Sequence, residues 1–291
     1  GALTEVPKDW KPNYIPFDRK EAGQEAAYIA EKRAEREAAV KELRERFGTV
    51  EKLREHIEAT AQRDLDSTSP GMVMNNKTLG LLLDGEPLKN YLEGVKSSVS
   101  NAEKKGTRAG YVLKRTFDVD GRNFGIPITA PGSVRPVHGL TVPKDPAGRG
   151  EMLEASRQYG GRSPVLVVFR DEVKGGATVT VADSLDGGRM PVRYDKPTMH
   201  GSVFGHIGSG GIAGEYHDPV EILKSDVQTS RYNPRNDKGK IWGYDEVQYH
   251  KRPTAREISH VTFSKEPSPA VKKKLKAIGA TWDVVTLKEE D

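Results

Sequence analysis

The sequence predicts an α+β fold, with a helical extension preceding a mixed, mostly antiparallel sheet. Two observations carry this. The first third is built from Ala, Glu, Lys and Arg with apolar residues at helical spacing. The remainder holds several short runs of Val, Ile, Thr, Tyr and Phe bounded by Gly, Pro, Asn and Asp, the pattern of short strands separated by turns. At 291 residues the chain is long enough for one large domain or two modest ones. The natural division puts an extended arm and helical connector at residues 1–69 and the α+β domain at 70–291.

Residues 1–18 interleave Pro7, Pro12 and Pro16 with Trp10, Tyr14 and Phe17, which predicts an extended arm lying against another surface. From Arg19 to Arg63, Ala27, Ala30, Ala34 and Ala38, then Val40, Leu43 and Phe47, recur at helical spacing, with charges alternating in sign. Gly48 ends the first helix. Thr49 starts a second, with Leu53, Ile57 and Ala61 inward. Ser67–Gly71 is a cluster of turn residues and marks the domain boundary. Thr78 is expected to cap a short helix ending near Gly85, and another short helix is expected around Tyr91.

From Arg108 the pattern predicts strands over 111–113 and 116–119, closed by an Asp120-Gly121 turn. Further strands are expected at 134–142, at the apolar run 164–169 (a buried central strand), at 177–182, around Glu246, at 258–263 and at 282–287. Short helices are expected over 152–159 and 270–278. The second is basic, with Pro269 in its first turn and Gly279 at its end. The Gly- and His-rich stretch 185–215 predicts a functional loop.

A formal net charge of +4 permits a nucleotide or nucleic-acid partner without requiring one. With no cysteine there is no disulfide framework and no thiolate metal site. No apolar run approaches membrane-spanning length, so no membrane partner is expected, and no signal peptide is visible. The opening Gly1-Ala2 is expected to be a tag remnant, with natural sequence upstream. His200, His206 and His217 match no metal-ligand spacing, so no metal is assigned.

The stretch 244–250 predicts a strand with Glu246, Gln248 and His250 on one face and Asp245, Val247 and Tyr249 on the other. A face of Glu, Gln and His is either wet or lines a polar cleft. Thr180 and Ser184, at or past another strand's end, offer hydroxyls to orient a carboxylate. Arg135 and Arg115, on expected strands, are costly there unless each meets an anion. A carboxylate, a hydroxyl that holds it and a guanidinium for a phosphate form a set suited to splitting a nucleotide glycosidic bond.

The blocks Arg135-Pro136-Val137-His138-Gly139, Thr180-Val181-Ala182-Asp183-Ser184 and Tyr244-Asp245-Glu246-Val247-Gln248-Tyr249-His250 come in an order that resembles ADP-ribosyltransferase-like domains. More narrowly, residues 70–290 resemble toxin-like domains attached to phage head-morphogenesis (minor capsid) proteins and bacterial polymorphic toxins. The helical segment 19–63 is similar to the connector that precedes them. The resemblance implies a split sheet with a cleft for NAD, bound as substrate, between its halves. It assigns Arg135 to the phosphates or the nicotinamide-side ribose, on a cofactor-binding strand shared with His138. Ser184 would support the acid. Glu246 would bind the ribose and stabilise an oxocarbenium-like transition state, since a fixed negative charge lowers the barrier where positive charge develops.

The commoner pattern ends in the catalytic glutamate, whereas here Glu246 precedes Gln248. The expected activity is mono-ADP-ribosyl transfer to an unknown protein or nucleic-acid acceptor, or NAD hydrolysis. A phage head or an immunity protein would be the implied partner, in a virion or after delivery into a bacterial cytoplasm. The alternatives are an inactive transferase-like structural protein and a nucleic-acid-binding or nuclease domain.

Overall fold

A computed structural model describes residues 5–12, 15, 17–94, 108–180, 191–195 and 245–288 of the chain. The extension forms three helices, α1 (Phe17–Glu21), α2 (Glu25–Phe47) and α3 (Val50–Ser67). Gly48 ends α2 at φ 75°, a left-handed conformation that glycine takes without a Cβ clash. Thr49 caps α3 by accepting from the Lys52 amide at 3.3 Å. Val40, Leu43 and Leu53 are buried.

Strand β1 (Thr68–Asn75) follows α3 with no linker, so the boundary expected at 69/70 falls inside a strand. The turn-like Ser-Pro-Gly misled because Pro70 is tolerated here. Residues Thr68–Pro70 pair on one side only, with β2 (Val137–Pro143), so the missing proline N–H breaks no second ladder. Asn75, rather than Thr78, caps α4 (Asn76–Leu83), accepting from the Thr78 amide at 2.8 Å. A single turn, α5 (Tyr91–Gly94), follows.

Residues expected to form two strands after Arg108 instead form one helix, α6 (Arg108–Phe124). The Asp120-Gly121 turn is therefore helical, and Arg115 rides on a helix. Helix α7 (Pro146–Ala155) starts six residues before the expected 152 and is followed by a 3-10 turn at Arg157–Tyr159. The apolar run forms β3 (Pro164–Phe169), buried along its whole length as expected. The rest of the sheet is β4 (Ala177–Thr180), β5 (Val192–Arg193), β6 (Glu246–Tyr249), β7 (Ile258–Phe263) and β8 (Thr281–Val284). The basic helix α8 (Pro269–Ala277) is capped by Ser268.

The described strands form one eight-stranded sheet, ordered β5-β4-β6-β2-β1-β3-β7-β8. Every pair is antiparallel except β7–β8, which is parallel. The fold is thus α+β with a mixed, mostly antiparallel sheet. One face carries Leu140, Val142, Leu166 and Val168 under Met152 and Leu153 of α7. The other carries Val165, Val167, Phe169, Val247 and Tyr249 against the α4 and α8 side.

The central strand changes partner half-way. Thr68–Gly71 of β1 pair with β2, and Gly71–Asn75 pair with β3. Gly71 alone serves both ladders, and beyond it the pairing of β1 with β2 stops. Two glycines make the junction possible. A Cβ at Gly71 would lie 2.4 Å from a Val142 methyl, and one at Gly139 would lie 2.2 Å from the Gly71 carbonyl oxygen. The Tyr249 hydroxyl donates to that carbonyl at 2.7 Å, so the junction keeps its polar group satisfied.

Candidate functional site

A cleft of about 480 Å3 opens where β1 and β2 part. Its walls include Met72 and Val73 of β1, His138 and Leu140 of β2, and Glu246 of β6. Asn90, Tyr91 and Tyr159 also line it. The volume is within the range of about 300–1,000 Å3 usual for small-molecule sites.

Strand alternation puts Glu246 and Gln248 on the cleft side of β6 and sends Val247 and Tyr249 into the core. His250, at the end of this polar face, is exposed, whereas Glu246 at 4% and Gln248 at 1% exposure are buried. Such groups need partners, and the sheet register supplies them. Thr180 of β4 stands opposite Glu246, and Thr178 stands opposite Gln248. On the other side, His138 stands opposite Gln248 and Leu140 opposite Glu246. The Gln248 amide nitrogen donates to Glu246 Oε1 at 2.8 Å and to Thr180 Oγ1 at 2.9 Å. The Thr178 hydroxyl donates to Gln248 Oε1 at 2.8 Å and lies 2.9 Å from His250 Nε2. His138 Nδ1 is 3.8 Å from Glu246 Oε1, too far for a hydrogen bond.

His250 is held below its ordinary pKa by burial and then by the neighbouring His138, with Asp120 pulling the other way. The edge of its ring packs against Phe124 of α6, centroids 4.6 Å apart. Burial drives the Tyr249 phenol well above its usual range, keeping it a neutral donor at the junction.

No protein-family model matches this chain, and no curated protein matches it.

The structure brings together Glu246, Gln248, Thr180 and His138 of the expected set. Arg135 is in a different situation from the one expected. It also lines the cleft, but the residue is only 3% exposed and its guanidinium is committed inside the protein. It pairs with Asp120 at 2.9 Å, donates to the carbonyls of Ala130, Pro127 and Ile128, and lies 4.8 Å from the Phe117 ring centroid. Its costly burial is thus met by an internal carboxylate and three carbonyls rather than by a phosphate. The backbone of Arg115 lies on α6, and its side chain lies outside the described residues. Ser184, Tyr244 and the histidines 200, 206 and 217 also lie outside them.

Sequence reasoning did not select Thr178 or Lys89, and it placed His250 on the polar face without giving it a role. The first was legible: Thr178 and Thr180, two apart on a strand, match the spacing of Glu246 and Gln248 on theirs. Lys89 is exposed and lines the cleft, but it sits in a polar loop with nothing in the sequence to mark it. Among the described residues no helix is long and apolar enough to cross a membrane.

Proposed function

We propose that this chain cleaves the bond between nicotinamide and ribose in NAD and passes ADP-ribose to an acceptor or to water, with Glu246 as the catalytic carboxylate. The observation that carries the reading is a nearly buried acid, held by a glutamine and lining a cleft at the point where a sheet changes partners. A split sheet of the ADP-ribosyltransferase kind is the fold this reading implies. Glu246 provides a fixed negative charge beside the ribose carbon that becomes positive as nicotinamide leaves. Gln248 and Thr180 hold that charge in place. Lys89, exposed at the cleft, takes the phosphate role first assigned to Arg135.

The test is nicotinamide release from NAD, measured by chromatography on wild type and Glu246→Gln. The variant is expected to be slower by about two to three powers of ten while keeping its thermal transition. Equal rates remove Glu246 from the mechanism.

A second reading, an inactive transferase-like protein of a phage head or secreted toxin, is favoured by the internal commitment of Arg135 and by the Glu-x-Gln order. Absence of calorimetric binding at millimolar NAD selects it.

A further inference from the structure

The hydrogens of the β4–β6 network can be counted one by one. A carboxylate at Glu246 only accepts, so the Gln248 amide must face it with its nitrogen. That nitrogen's two hydrogens go to Glu246 Oε1 and Thr180 Oγ1. The Gln248 oxygen is then left facing Thr178, which commits its single hydrogen there. Towards His250 Nε2, 2.9 Å away, the Thr178 oxygen is left only able to accept. His250 Nε2 must therefore carry a proton. The donors run in one direction, from His250 through Thr178 and Gln248 to Glu246.

Reversing one link reverses them all. A protonated Glu246 can donate to Gln248, which lets the amide turn over. Thr178 then accepts from the turned amide and donates to a bare Nε2, with the ring proton on Nδ1. We infer that His250 and Thr178 are positioning residues, and that the proton on His250 Nε2 holds Gln248 in the orientation that keeps Glu246 an oriented carboxylate.

The groups facing the His250 ring are consistent with this role. His138 of β2 and Asp120 of α6 are its titratable neighbours, Asp120 being paired with Arg135, and Phe124 of α6 makes a T-shaped contact with the ring. None of these takes the place of Thr178 at Nε2. The catalytic consequence rests on the proposed NAD reaction, but the direction of the hydrogen-bond chain does not.

Two measurements on the full chain test the inference separately. Histidine-selective 15N labelling and long-range proton–nitrogen correlation at pH 8 read the tautomer, with the His250 signal assigned from its loss in His250→Phe. The expected result is protonation at Nε2 in wild type and in Thr178→Ser, and loss of that preference in the isosteric Thr178→Val. For NAD cleavage, Thr178→Val is expected to lower kcat by about ten- to a hundredfold with KM little changed, and Thr178→Ser to restore it. A wild-type His250 protonated at Nδ1 overturns the inference. So does a Thr178→Val protein with unchanged tautomer and unchanged kcat. If wild type does not cleave NAD, the proposed function fails and the tautomer alone decides the relay.

Discussion

Arg135 shows how a residue that requires an anion can find one inside the fold. Sequence logic demanded a counter-charge, and the fold supplies Asp120 from a segment expected to be a strand and turn. The pair is almost sealed from solvent, and Asp120 Oδ1 has no hydrogen-bond partner among the described residues. Breaking such a pair leaves a stranded charge, so Arg135→Met is expected to lose about 3–5 kcal/mol of folding stability in urea titrations. At a temperature where the variant remains folded, its KM for NAD is expected to stay near wild type. A large rise in KM with stability unchanged would return Arg135 to the phosphate role. Glu246 and Gln248 were legible as site residues because alternation on a strand is a strong constraint: two polar residues spaced by two cannot both enter the apolar core. Their partners Thr178 and Thr180 satisfy the same constraint from the neighbouring strand.

At the scale of elements, the strands β3 and β7 and the basic helix α8 were legible because each carries a local signature: an all-apolar run, a β-branched run, and a Ser-Pro start with a Gly stop. Helix α6 was not, because Val112, Phe117 and Val119 favour strands and Asp120-Gly121 imitates a turn. The opposing signal was the spacing of Leu113, Phe117, Asp120 and Phe124, which fits one helical face. The edge strand β8 carries a pH dependence of its own. His260 of β7 bonds Thr281 through Nδ1 at 2.7 Å and Asp283 through Nε2 at 2.6 Å, and Thr262 donates to the same carboxylate oxygen at 2.7 Å. Burial holds His260 below 6.5, opposed by Asp283 and aided by Arg149, and His250 is lowered as well. The folded protein thus binds fewer protons than the unfolded chain just below pH 6.5, and stability falls as pH falls, by at most about 1.4 kcal/mol per pH unit from His260, with less from the exposed His250 because solvent screens it. The expected outcome is a falling urea midpoint between pH 7 and 5 in wild type and a shallower fall in His260→Gln. Glu93 and Asp171 act in a separate window. Burial opposes their ionisation, but Arg252 in one case and Lys144 with Lys174 in the other outweigh it, so their contribution is lost only below the usual carboxylate range. A slope as steep in His260→Gln as in wild type would clear His260 of any part in it.

Across the molecule, the helical extension is fastened to the sheet by buried polar contacts and not merely tethered to it. Lys174 donates to the Leu65 carbonyl at 2.6 Å near the end of α3 and lies 5.1 Å from the Tyr194 ring centroid. The Tyr194 hydroxyl is 2.7 Å from Thr68 Oγ1. A lysine at the carbonyl end of a helix answers both the orphan acceptors and the helix dipole. Lys174→Met is expected to speed hydrogen exchange in the last turn of α3 by about tenfold or more while β3 amides change little. Uniform acceleration in both would mean that α3 opens only with the whole fold. None of this was readable from the sequence, since a lone lysine in a 3-10 turn gives no sign of what lies 109 residues upstream.

The junction at Gly71 has a mechanical consequence. Two plates of strands whose ladders meet at one residue keep their own pairing whatever their mutual tilt, and the core that spans them, with α7 over Leu140, Val142, Leu166 and Val168, sets that tilt. The gap between them widens or narrows as that tilt changes. A guest in the gap would feel both plates at once, and its fit would depend on an angle rather than on any single side chain.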